Sequence, residues 1–145
     1  MTMEHPALDT ALQLARAQAR AVKSLDFALG SHHGIGANDY ALLAALAEAP
    51  QGRAKPADLA RLLALTASGV TRALLPLEKI GIVARTKDER DARISYATLT
   101  EAGRRVADEA RVTAEQTATG IFSRLSVGQL RQMQRLLEDV ATTGR

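Results

Sequence analysis

The sequence predicts a mainly helical α+β fold, in which six helices accompany a single two-stranded hairpin. Three observations carry that prediction. Apolar residues recur at three- and four-residue spacing along most of the chain. The apolar content of 46% is drawn mainly from Ala, Leu, Val and Ile, with aromatics at 3% and no Trp, and Ala and Leu favour helix. One segment alone, residues 82–98, alternates in the rhythm of strands.

The first helix is expected over residues 6–29. Pro6 sits where a missing N–H costs nothing, and Leu8, Ala11, Leu12, Ala15, Val22, Leu25 and Leu29 form one stripe. The run Gly30-Ser31-His32-His33-Gly34-Ile35-Gly36 holds three glycines in seven residues and is expected to end that helix in a loop. A second helix spans 38–49 with Tyr40, Leu42, Leu43 and Leu46 inward, and Pro50-Gln51-Gly52 stops it. A short helix covers 56–63, with Pro56 in its first turn and Leu59, Leu62 and Leu63 inward. Thr66 is the expected N-cap of the next helix, 67–80, and Gly81 its stop. Val70, Leu74, Leu77 and Ile80 mark its buried face.

The hairpin follows. Ile82 to Thr86 and Ile94 to Thr98 read as strands around a seven-residue turn, KDERDAR, in which six residues are charged. Such a tip cannot be buried, so the hairpin is expected to project into solvent. Thr100 then caps a helix running to about Leu125, bearing Val106, Ala110, Ile121 and Phe122. Ser126 and Gln129 form a capping-box pattern ahead of the last helix, 127–142, whose stripe is Leu130, Met133, Leu136, Leu137 and Val140.

Bulk composition narrows the function classes. The net charge is +3, a mild basic bias that permits a polyanionic partner without requiring one. The absence of cysteine excludes disulfides, thiolate metal sites and a thiol redox switch. No apolar run approaches the roughly 18–20 residues of a membrane span. MTMEHPALDT lacks the charged start and apolar centre of a signal peptide. A cytoplasmic protein with no cofactor, no metal and no membrane partner is the expectation.

Two short helices joined by a tight turn and followed directly by a hairpin describe a winged helix-turn-helix. A helix fits the major groove of duplex DNA and presents its N-terminal residues to base edges. Ser68, Thr71 and Arg72 are donors at that end, Gly69 permits close backbone approach, and the helix N-terminus favours a phosphate. Arg90 at the wing tip suits the negative potential of a minor groove. Lys87 and Arg93 add charge to the wing, and Arg53 and Lys55 precede the short helix where phosphate would run. Double-stranded DNA is the expected partner.

The chain resembles the MarR-type winged-helix transcriptional regulators. Asp88-Glu89-Arg90-Asp91-Ala92-Arg93 matches that family's wing motif, D-x-R-D-x-R. Further matches are Leu59-Ala60-Arg61-Leu62-Leu63, Ser68-Gly69-Val70-Thr71-Arg72, Leu77-Glu78-Lys79-Ile80-Gly81-Ile82-Val83 and Leu99-Thr100-Glu101-Ala102-Gly103. The resemblance implies a homodimer held by long N- and C-terminal dimerisation helices (1–36 and 100–145) around a winged helix-turn-helix domain (37–99). It implies a repressor on pseudo-palindromic promoter DNA, released by a small aromatic or phenolic effector. It makes Arg90 the minor-groove residue and gives Asp88 and Asp91 the task of bracing the wing. Pro76 departs from the family resembled, which more often has a charged or polar residue there, and proline removes the bond to the Arg72 carbonyl and can bend the helix.

The effector residues that resemblance suggests are His32 and His33, with Tyr40, Arg16 and Arg20 on flanking helices. An enzyme finds no support. Gly34-x-Gly36 is too short for a phosphate loop and follows no strand, and no spacing suggests a nucleophile elbow or any catalytic residue. The competing reading is a winged helix that holds another protein without reading DNA sequence.

Overall fold

The computed structural model describes residues 4–143, so residues 1–3 and 144–145 of the expected terminal helical region lie outside the described residues. The element order is α1 (Pro6–His33), α2 (Ala37–Glu48), a 3-10 turn (Pro50–Gly52), β1 (Arg53–Ala54), α3 (Pro56–Leu62), α4 (Ala67–Lys79), β2 (Val83–Lys87), β3 (Ser95–Leu99), α5 (Glu101–Ile121) and α6 (Val127–Thr143). The six helices and the hairpin stand as expected, and the predicted caps form. Thr66 Oγ1 accepts from the Gly69 N–H at 3.0 Å and Thr100 Oγ1 from the Gly103 N–H at 3.0 Å. Ser126 and Gln129 close a reciprocal box at 2.9 and 3.1 Å.

Five expectations are corrected. α1 does not stop at Leu29 but continues through Gly30 to His33. A glycine inside a helix costs only about 1 kcal/mol relative to alanine, and Leu29 beneath it is fully buried. Gly34, at φ +69°, is the left-handed stop, and its N–H donates to the Gly30 carbonyl. His32 and His33 therefore occupy the last helical turn and not a loop. The sheet has three strands, ordered β1–β3–β2, because Arg53 and Ala54 pair with Thr98 and Ala97. Two residues show no period in sequence, so that strand was unreadable. The hairpin strands themselves begin one residue later than the apolar runs suggested, in register from Val83↔Leu99 to Lys87↔Ser95.

Leu62 and Ile80 were expected inward and are 70% and 66% exposed. α3 has only seven residues and turns Leu59 and Ala60 to the core, while Ile80 sits past the last turn of α4. Finally, α5 ends at Ile121, and residues 122–125 form the corner into α6. Pro76 leaves α4 continuous to Lys79.

The core is one cluster. Leu29, Leu42, Leu43, Leu46, Leu59, Val70 and Leu74 are its large buried members, joined by Val83, Ala97 and Leu99 from the sheet. α2 enters it at a fixed angle, because the Ala37 N–H donates to Asp26 of α1 at 2.7 Å and the Gly36 N–H to Asp39 at 3.0 Å. α5 packs along α1 and α2, and the residues it buries beyond its first turn are small: Ala107, Ala110 and Ala114.

At the head of α5 three elements meet. The Thr100 N–H donates to the Ile82 carbonyl at 3.0 Å, and the Thr100 hydroxyl lies 2.5 Å from the Gly81 carbonyl. Gly103 sits against the same backbone, where an added Cβ would fall 2.0 Å from Ile82 O. Gly103→Ala is expected to lower stability by about 1–3 kcal/mol, the usual scale of overpacking. Denaturant midpoints at fixed protein concentration check this, and an unchanged midpoint would show that the approach is not a constraint.

Candidate nucleic-acid interface

α4 buries Val70, Leu74 and Leu77 and leaves the opposite face open. Ser68, Thr71 and Arg72 are all exposed there. The Ser68 hydroxyl lies 3.2 Å from Thr66 Oγ1, and the Thr71 hydroxyl donates to the Ala67 carbonyl at 3.1 Å. Gly69 is half-buried, and a Cβ on it would come 3.1 Å from Thr66 Oγ1. Its lack of a side chain thus serves the cap that sets the first turn.

The wing tip is held by its carboxylates. Asp88 Oδ1 accepts from the backbone N–H groups of Arg90 (2.8 Å) and Asp91 (3.1 Å), and Asp88 Oδ2 accepts from the Tyr96 hydroxyl at 3.0 Å. The Arg90 N–H is the first cause, and the Tyr96 hydroxyl the second, that hold the Asp88 carboxyl below the ordinary aspartate range. The same hydroxyl bond pushes the Tyr96 phenol up. Asp91 takes both arms of the Arg93 fork, at 3.0 and 3.1 Å, which lowers the Asp91 carboxyl and raises the Arg93 guanidinium. Arg90 is exposed at the tip, and among the described residues its guanidinium makes no ion pair. Lys87 is exposed at the end of β2.

Tyr96 was not singled out from the sequence, yet it joins two parts of this face. The Arg53 guanidinium stacks over its ring, 4.1 Å from the centroid, a cation–π contact that ties β1 to the wing. Lys55 is exposed just before α3. A second missed pair is Arg85–Glu78, 2.5 Å apart, which fastens β2 to the last turn of α4. The first pair depends on the pairing of β1 with β3, and the second on the tight turn from α4 into β2. α4 and the wing are thereby presented as one unit, with Ser68, Arg72 and Arg90 open to solvent.

The five suggested effector residues do not converge. His33 Nε2 lies 2.7 Å from the Thr113 hydroxyl of α5, whereas His32 Nδ1 is 3.0 Å from the carbonyl of Ala28 in its own helix. Tyr40 is half-buried near Arg111 and Glu115 of α5, and burial raises its phenol. Arg16 is exposed. Arg20 borders a separate groove of about 680 Å³, formed by Leu14, Ile121, Phe122, Met133 and Leu137 between α1 and α6. At 1.5 Å per residue it lies roughly 20 Å along α1 from His33.

The depressed Asp88 carboxyl gives a pH dependence of definite sign. The ordered tip gains stability from Asp88 fully above the ordinary aspartate value, and loses it as pH falls through the lowered midpoint. Carbon-detected titration of Asp88 is expected to show that lowered midpoint, and Tyr96→Phe to raise it with helix content unchanged. A midpoint at the ordinary value in the unaltered chain would remove the network.

A family model described as MarR family matches residues 33–94. The chain is 33% identical over 86 residues to the HTH-type transcriptional repressor Rv2887 of Mycobacterium tuberculosis, a match covering 59% of this chain and 62% of that protein. It is 29% identical over 84 residues to the uncharacterized HTH-type transcriptional regulator YwhA of Bacillus subtilis, covering 58% and 60%. The matched segment thus spans less than two thirds of the length of either relative. Among solved structures, Sco3205 of Streptomyces coelicolor, a MarR family regulator crystallised with DNA, superposes with TM-score 0.85 and 26% identity over 97% of this chain and 90% of that one. The Rv2887 structure, crystallised with p-aminosalicylic acid, gives TM-score 0.69 and 28% identity over 90% and 96%. Helix pair, wing and terminal helices recur together in these proteins and here, and residues 33–94 of the chain are similar to the MarR family.

Proposed function

We propose that this chain is a cytoplasmic transcriptional regulator, acting as a repressor, that binds pseudo-palindromic promoter DNA as a homodimer. The observation that carries the reading is the open face of α4 beside a wing whose Arg90 is free while Arg93 is tied to Asp91. Ser68, Thr71 and Arg72 would meet base edges in a major groove, and Arg90 the adjacent minor groove. Lys87 and Lys55 would meet phosphate. Arg53 already engages Tyr96, so it would act chiefly by setting the wing. The DNA-bound Sco3205 supports the same use of the fold.

The homodimer has its own support. No residue of α6 is buried, and Leu136 and Val140 are each 58% exposed. Leu8 and Leu12 of α1 are also open. An apolar surface spread over both terminal helices is covered most simply by the same surface of a second copy. α1, at 28 residues, is about 42 Å long, more than a single winged helix needs.

The effector we propose is a small aromatic acid, of the class of the p-aminosalicylic acid with which Rv2887 was crystallised. Its site would lie where His33 and Tyr40 face α5, between the terminal helices and the reading head. Arg16 and Arg20 lie farther along α1 and would not share that site.

The test is selection of bound duplexes from a random pool, then titration of the recovered site. Arg90→Ala is expected to weaken binding by about 1–3 kcal/mol at unchanged molecular mass. Affinity is expected to fall steeply with salt, since several phosphates are neutralised. A flat salt response with no recovered site would favour a protein partner. Light scattering at micromolar concentration is expected to give twice the chain mass, and a monomer would overturn the dimer.

A further inference from the structure

Leu75 and Pro76 occupy the open face of α4. Ser68, Arg72, Leu75 and Lys79 follow one another at spacings of four, three and four, directly opposite Val70, Leu74 and Leu77. Leu75 is 46% exposed at the centre of that stripe, and Pro76 is exposed on its flank. A lone exposed leucine is ordinary on a protein surface. This one is set between a guanidinium three residues before it and an ammonium four residues after it.

We propose, resting on the DNA-binding reading above, that Leu75 determines sequence specificity by packing on a thymine C5-methyl group in the major groove, with the Pro76 ring beside it. The side chain has no donor or acceptor, so it can read only what is apolar in the groove. Among the four bases the thymine methyl is the one apolar substituent displayed there. The dimensions agree. Seven residues separate Ser68 from Leu75, about 10 Å along the axis, which fits inside a groove about 12 Å wide. Lys79 lies about 16 Å from Ser68 and so falls at the far phosphate wall. The occupant follows from the charges. An apolar protein surface seated here would trap Arg72 and Lys79 at the centre of the contact, where lysine is disfavoured. In duplex DNA the same two cations find phosphate or guanine on either side of the methyl group.

The recovered duplex is rebuilt with single deoxyuridine-for-thymidine changes, which delete only the methyl group, and each is titrated with the full chain and with Leu75→Ser and Leu75→Met. Deoxyuridine at one position per half-site is expected to weaken the unaltered chain about three- to tenfold, the scale of one or two buried methyl-sized groups. Leu75→Ser is expected to bind both duplexes equally, and Leu75→Met to keep the thymine preference. Indifference of the unaltered chain to every deoxyuridine, or an undiminished preference in Leu75→Ser, overturns the assignment while leaving DNA binding intact. Failure of the unaltered chain to bind any duplex overturns both readings together.

Discussion

The close approach of α5 to the Ile82 carbonyl is the constraint on which the other parts of this molecule depend. One peptide unit receives the Thr100 N–H and lies against Gly103, which has no side chain to hold it off. Gly81 and Ile82 follow the end of α4, β2 starts at Val83, and Thr100 begins α5. Reading helix, wing and long terminal helix therefore share a single junction. The Arg85–Glu78 pair adds a second tie between α4 and the wing, and the Asp26 cap fixes α2 on α1. Such coupling is what an effector beside α5 would need in order to alter the reading head.

Much of this was legible in the sequence because it is local. Thr66, Thr100 and the Ser126–Gln129 pair are caps that act within four residues, and each formed as expected. Gly81 ended α4 for the same reason. The misreadings share a cause too. Gly30 was given the weight of a breaker although buried Leu29 and the packing of α1 on α5 outweigh its small cost. Leu62 and Ile80 were assigned inward by period alone, which does not know where a helix finds its neighbours. β1 exists only through its distant partner β3.

The site was legible in outline and less so in its division of labour. The open faces of α4 and the wing lie where the helix pair and the charged turn indicated. Charge by itself did not reveal that Arg53 stacks on Tyr96, or that Tyr96 reaches Asp88. Those contacts follow from strand register, which places residues from β1, β3 and the turn side by side. The scattered positions of Arg16, Arg20, His33 and Tyr40 teach the same lesson. Residues spread over α1 and α2 form a pocket only if helix lengths and crossings bring them together, and here the length of α1 keeps Arg16 and Arg20 away from His33 and Tyr40.

The wing also has a kinetic consequence. Its turn carries Lys87, Arg90 and Arg93 against Asp88, Glu89 and Asp91, three cations against three anions. Beyond a Debye length, about 8 Å in physiological salt, such a tip exerts almost no net field. It therefore contributes little to the long-range attraction that speeds encounter with a polyanion. The wing's influence falls on how long a complex lasts once formed, and hardly at all on how often one is found.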